Sequence, residues 1–224
     1  MERQEEQKQG YSDVSAGEKF PFDFIAEHIF YPIYPVIAQD ILERTGIRQG
    51  CMVDIGCGGG HLGMALLEQS RLTGIFVDVN DAALDLAQKH ADQRGLTDRC
   101  RFLQGDVHHL AQLEDGCADL VVSRGSYHIW SDLPKALKEI WRILAPGGRT
   151  YVGGGMGSLQ LVEQIRPRMQ QIRPGWPEDM MAKSGSITDA SLEQILRESN
   201  IPYQLLHTQD NGRWIIMEKE VNPG

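Results

Sequence analysis

Cysteine is scarce. The four present, Cys51, Cys57, Cys100 and Cys117, form no CxxC pair and no His/Cys zinc spacing. Isolated thiols of this kind argue against a disulfide scaffold, and together with the charged, Gln-rich start Met1–Gln9 they point to a reduced, cytoplasmic chain. No metal site is expected: the pair His108-His109 has no third ligand nearby in the sequence. Positive charge is also short. Against 31 Asp and Glu there are 22 Lys and Arg, a formal charge of −9, and the basic residues are scattered apart from Arg166, Arg168 and Arg173. Nucleic-acid phosphates require a basic face, so DNA and RNA are not expected partners. No apolar run approaches the roughly 20 residues of a membrane helix, so no membrane role is expected. Internal repeats and low-complexity segments are missing too.

What is present suits a folded domain: 41% of the residues are hydrophobic, enough for a real core. A polar segment, 1–19, precedes an aromatic stretch with Phe22, Phe24, Phe30, Tyr31 and Tyr34. Pro32 and Pro35 predict a short helix, a kink and a second helix ending near Gly46. Strands and helices then alternate: strands at 51–55, 72–79, 101–104, 119–123 and 149–153, and helices at 61–69, 81–94 and 133–144. Ala145-Pro146-Gly147-Gly148 reads as a helix stop and turn. Such alternation predicts an α/β domain with a parallel sheet and helices on both faces. A helix over 158–172, interrupted by Pro167, an irregular connector and a helix capped by Thr188 follow. Strands at 203–208 and 213–219 flank Gln209-Asp210-Asn211-Gly212, a hairpin signal. The division expected is an N-terminal tail and helical lid over 1–46 and one globular domain over 47–224.

The chemistry concentrates in Asp54-Ile55-Gly56-Cys57-Gly58-Gly59-Gly60, between the first strand and the next helix. Glycines there permit a tight turn and close backbone approach to a ligand. A dinucleotide loop reads GxGxxG; here the third glycine is replaced by His61. Asp54 at the strand tip would repel a phosphate and favour a ligand with a cationic sulfonium and a free amino group. Asp78, at the tip of the second strand, is placed to accept from two ribose hydroxyls. Asp106 follows the third strand and would accept from an adenine amino group. His61 is expected to cap or pack at the helix start, and Cys57 to pack.

The ordered series Val53-Asp54-Ile55-Gly56-Cys57-Gly58, Val77-Asp78-Val79-Asn80, Gln104-Gly105-Asp106-Val107, Ala118-Asp119-Leu120-Val121-Val122-Ser123-Arg124 and Ile143-Leu144-Ala145-Pro146-Gly147-Gly148 resembles the class I S-adenosylmethionine (SAM)-dependent methyltransferases. It is similar to their small-molecule branch, which includes quinone methyltransferases, over about residues 33–155. The resemblance implies a seven-stranded, mostly parallel sheet ending in a C-terminal antiparallel β-hairpin. It implies SAM as cofactor, held by Asp54, Gly56, Gly58, Asp78, Asp106, Val107 and Arg124. The reaction implied is in-line displacement of the sulfonium methyl by an O, N, S or C nucleophile of a small-molecule substrate.

Tyr127 and His128, just past the fourth strand, are the candidate catalytic residues, and Trp130 is either a packing anchor or a substrate platform. Gly153–Gly157 either leaves room for substrate or forms a flexible turn. The aromatics before the first strand are expected to form a lid from Tyr11 to Tyr34, or else a helix packed permanently on the sheet. A NAD-dependent oxidoreductase and a non-catalytic SAM-binding regulator stay open as alternatives.

Overall fold

The computed structural model describes residues 22–177, 187–210 and 212–221. The polar segment, the 11–21 part of the expected lid and most of the connector after Pro177 lie outside the described residues.

Two helices lead in, α1 (Phe22–His28) and α2 (Ile33–Thr45). Pro35 sits in the first turn of α2, where its missing N–H costs nothing. Gly46 ends the helix in the left-handed region at φ 70°, returning its N–H to the Leu42 carbonyl. The alternating units follow: β1 (Gln49–Ile55), α3 (His61–Glu68), β2 (Arg71–Asp78), α4 (Asp81–Arg94), β3 (Cys100–Gln104), β4 (Ala118–Arg124), α5 (Leu133–Ile143) and β5 (Leu144–Gly154). The chain continues with α6 (Leu159–Ile172), α7 (Asp189–Ser199), β6 (Gln204–His207) and β7 (Arg213–Ile216). The α4 boundaries follow from local chemistry. The Asn80 side chain caps the Ala82 N–H at 3.0 Å, and Gly95 closes the other end at φ 66°.

All seven strands form one sheet in the order β3-β2-β1-β4-β5-β7-β6. The first five are parallel, and β7 runs antiparallel between β5 and β6. Alternation along the strands divides the core. Leu120, Val122 and Tyr151 join one cluster with α2, α3 and α6, while Val121 and Val152 face the cluster formed by α5 and α7.

Two local expectations change. Residues 145–148, expected to form a turn before the fifth strand, belong to β5 itself. Leu144 pairs with Ala118 and Arg149 with Leu120, so the Pro-Gly-Gly segment is taken up as an irregularity within the strand. Pro167 lies inside a continuous α6 instead of interrupting it.

The N-terminal helices are part of the core. Ile25, Ile29, Ile33 and Ile41 are at most 1% exposed, in one cluster with Met52, Phe76 and Tyr151. Each such side chain contributes roughly 1.5–3 kcal/mol by burial. Undocking both helices would therefore cost about as much as the whole stability of a domain, roughly 5–15 kcal/mol.

Of the two glycines that end β5, one is required by the hairpin. Gly153 pairs with Trp214, and a Cβ on it would lie 2.1 Å from the Arg213 carbonyl oxygen and 2.8 Å from Trp214 Cα. Around a Cβ on Gly154 the nearest heavy atom is 4.0 Å away. Gly153→Ala is expected to lose about 1–3 kcal/mol or more in urea unfolding, with Gly154→Ala within about 1 kcal/mol of wild type. Equal midpoints for the two variants would refute this reading of Gly153.

Candidate functional site

Strand order reverses between β1 and β4, which are direct neighbours although two strands separate them in sequence. In an open α/β sheet such a switch point leaves a crevice beyond the carboxyl ends of the strands. The loop after β1 is bent by three left-handed glycines, Gly56 (φ 64°), Gly58 (φ 52°) and Gly60 (φ 74°). A Cβ on Gly56 would fall 2.7 Å from the Ser126 hydroxyl, so this glycine lets the loops after β1 and β4 touch. Beside Gly58 and Gly125 the equivalent positions are open, with no atom within 4 Å.

Three acids were expected at the strand tips. Asp54 is 2% exposed, and its Oδ2 accepts from the Gly63 N–H at 3.0 Å, bracing the first turn of α3. Burial raises its pKa from 3.8 to about 7; the Gly63 bond opposes the shift and the charge of Asp78 adds to it. Asp78 accepts from the Gly58 N–H at 2.9 Å and the Asn80 N–H at 3.0 Å. It thereby ties the β2 tip to the glycine loop, and a carboxylate keeps lone pairs for further donors. Asp106 turns to His108, accepting from its backbone N–H at 2.9 Å and from its ring. Its side chain is 61% exposed, and the His108 N–H bond holds its carboxyl below the usual range. Val107 is buried.

Beyond β4 the side chains divide. Arg124 donates from Nε and Nη2 to the Gly155 carbonyl at 3.2 and 3.1 Å and lies over the rings of Phe30 and Tyr34. It thus joins β4, the β5 loop and the N-terminal helices. Tyr127 is buried, and its hydroxyl accepts from Arg213, which also pairs with Asp189 at 2.6 Å. His128 is half-buried, with its ring edge-on to Tyr127, and burial lowers its pKa. Trp130 packs, partly buried, against the α5–α7 cluster. A cleft of about 450 Å³ lies elsewhere, between α2 and the hairpin, lined by Asp40, Tyr151, Asp210 and Trp214. None of the predicted cofactor residues lines it.

Known proteins resemble this chain in sequence and fold. A family described as a methyltransferase domain matches residues 53–152. The crystal structure of a Methanococcus maripaludis protein, provisionally described as an SAM-dependent methyltransferase, superposes with a TM-score of 0.81 at 39% identity. The match covers 89% of this chain and 90% of that one. The chain belongs to the SAM-dependent methyltransferases. SAM is therefore its cofactor and methyl transfer its activity, which sets aside the oxidoreductase and regulator alternatives. More distant similarity extends to the ubiquinone/menaquinone biosynthesis C-methyltransferase UbiE of Idiomarina loihiensis, 24% identical over 84% of this chain and 74% of that protein. The sterol 24-C-methyltransferase of Aspergillus fumigatus is 29% identical over 52% of this chain and 32% of its own length. No helix among the described residues is long and apolar enough to cross a membrane.

Three residues of this methyltransferase carry no signal in the sequence. Glu27, His61 and His90 come from α1, α3 and α4 and meet behind the glycine loop, with ligand-capable atoms within 4.8 Å of one another. His61 starts α3 without capping it through its side chain. It packs between the rings of Tyr34 and His90, at 5.1 and 4.9 Å, and burial lowers its pKa to about 3. Only folding juxtaposes these side chains; no ligand spacing in the chain hints at them.

The raised Asp54 pKa has a consequence for stability. Between roughly pH 4 and 7 the unfolded chain has lost a proton that the folded one keeps. Stability in the absence of ligand is expected to fall as pH rises through that window and to level above it. Asp54→Asn, whose amide oxygen still accepts from Gly63, should remove a slope worth a few kcal/mol, at about 1.4 kcal/mol per pKa unit. Unfolding midpoints between pH 4 and 8 test this; parallel curves for the two proteins would reject it.

Proposed function

We propose that this enzyme methylates a small organic acceptor at the crevice between β1 and β4, in the cytoplasm. The observation that carries the reading is the open space beside Gly58 and Gly125, next to the Asp78 carboxylate that accepts from the Gly58 N–H. The residues fit the cofactor. A buried carboxyl with a raised pKa, Asp54, is what a ligand carrying a free ammonium would complete. Asp78 has capacity for two ribose hydroxyls beside its bonds to the loop. Gly56 and Gly58 supply close backbone approach, Val107 an apolar wall, and Asp106 an acceptor for the adenine amino group once it turns from His108. Arg124 acts through Gly155 and the rings of Phe30 and Tyr34, holding the N-terminal helices against the site. SAM, when bound, supplies an activated methyl group on a sulfonium.

A small acceptor is favoured by the formal charge of −9, which disfavours a polynucleotide, and by the similarity to quinone-biosynthesis and sterol methyltransferases. The four free thiols suit a reducing compartment. Of the two candidate catalytic residues, Tyr127 has its hydroxyl engaged by Arg213, which favours His128. Its imidazole, kept neutral by burial, is suited to take a proton from the acceptor while the site holds the nucleophile in line.

Asp78→Ala is expected to weaken S-adenosylhomocysteine binding by about 2–4 kcal/mol, roughly 30- to 1000-fold in Kd by calorimetry. A folded variant with unchanged Kd would remove Asp78 from the site.

With an acceptor in hand, His128→Phe should lower kcat by roughly 10²–10⁴ and flatten the pH–rate profile below neutrality. Full activity at every pH would leave positioning of the acceptor as the protein's whole contribution.

A further inference from the structure

Behind the glycine loop three ligand-capable side chains share one space, and the nitrogen of one of them has no hydrogen-bond partner. His90 Nδ1 lies 2.7 Å from the Gly59 carbonyl oxygen, so this nitrogen carries the hydrogen and donates. In the neutral ring Nε2 is then a lone pair, and it faces Glu27 Oε1 at 2.6 Å. Two acceptors at that distance need a positive species between them. A proton would serve this pair and leave the third group unserved. His61, 7% exposed, presents an Nε2 with no hydrogen-bond partner to the same space. A metal cation answers all three at once.

The geometry points to a divalent transition-metal site formed by Glu27, His61 and His90. Two imidazoles and one carboxylate are a donor set used for zinc and for other first-row ions. Metal–ligand bonds of about 2.1 Å place tetrahedral donors about 3.4 Å apart. The atoms here already lie within 4.8 Å of one another, and the short His90–Glu27 contact opens as its shared proton leaves to solvent. The His90 bond to Gly59 is the outer hydrogen bond that orients a ligating imidazole. Entry is available through a cleft of about 370 Å³ lined by Tyr31, Lys89 and Arg94 as well as the three ligands. Arg94 is already paired with Glu68 at 3.0 Å, and Asp23, one turn before Glu27, adds negative charge. The ion would fasten α1, α3 and α4 to the carbonyl of Gly59, joining the N-terminal helices to the glycine loop. The site is distinct from the crevice between β1 and β4 and holds whatever the acceptor is.

The test uses the full chain, stripped with chelator and titrated with cobalt(II) chloride by visible absorption, then with zinc sulfate by calorimetry. One equivalent of cobalt with ligand-field bands, displaced by zinc, is expected. Glu27→Gln and His61→Asn should each weaken zinc by at least about a hundredfold, since even outer partners of a ligand account for about 10–100-fold. His109→Gln, at an exposed histidine outside the cluster, should bind as wild type. The Glu27 side chain is 37% exposed, so Glu27→Gln keeps the fold and decides the matter even if His61→Asn does not. Absence of saturable binding, or Glu27→Gln binding as wild type, would overturn the proposal.

Discussion

The close approach of two loops, at Gly56 and Ser126, is the constraint on which the rest of the site depends. Parallel strands β1 and β4 are neighbours in the sheet, so the loops leaving them compete for the space above their carboxyl ends. With a hydrogen at the α-carbon of Gly56 in place of a side chain, the Ser126 hydroxyl can come within 2.7 Å of where a Cβ would be. The contact lets the β1 loop turn at once into α3, whose first turn is held by the buried Asp54 carboxyl. From there the Asp78 bond to Gly58 sets the position of the β2 tip. Each of these is a short-range interaction with little slack, and together they leave the open faces of Gly58 and Gly125 for a ligand.

The N-terminal helices are coupled to this loop from two sides. Arg124 reaches from β4 to the Gly155 carbonyl and lies over Phe30 and Tyr34. His90 reaches from α4 to both Gly59 and Glu27. The helices before the first strand thus take part in the geometry of the glycine loop as well as in the core. Their buried isoleucines anchor them in the core.

Much of this was legible along the chain. The element order, the seven strands with the terminal hairpin and the α4 boundaries follow from hydrophobic period, caps and glycines, all of which act within a few residues. The Pro-Gly-Gly segment after α5 was misjudged because turn chemistry is local, whereas β4 holds that segment to the sheet by pairing on both sides of it. Pro167 was misjudged for a similar reason: α6 buries Ile165 and Met169 on either side of it, and packing outweighs one lost backbone bond. Gly153 was visible, but its cause, the backbone of β7, lies some sixty residues further on.

Fold class and family are legible along the chain, because the acids and glycines at the strand tips recur in order and each is required by its own local turn. What those side chains do with their bonds depends on packing. It committed Tyr127 to Arg213, turned Arg124 toward Gly155, and buried Asp54 deeply enough to raise its pKa. It also brought Glu27, His61 and His90 together from three helices. The physical reason is range: caps and turns are settled between near neighbours in sequence, whereas desolvation and side-chain pairing depend on what the fold brings into contact from far away.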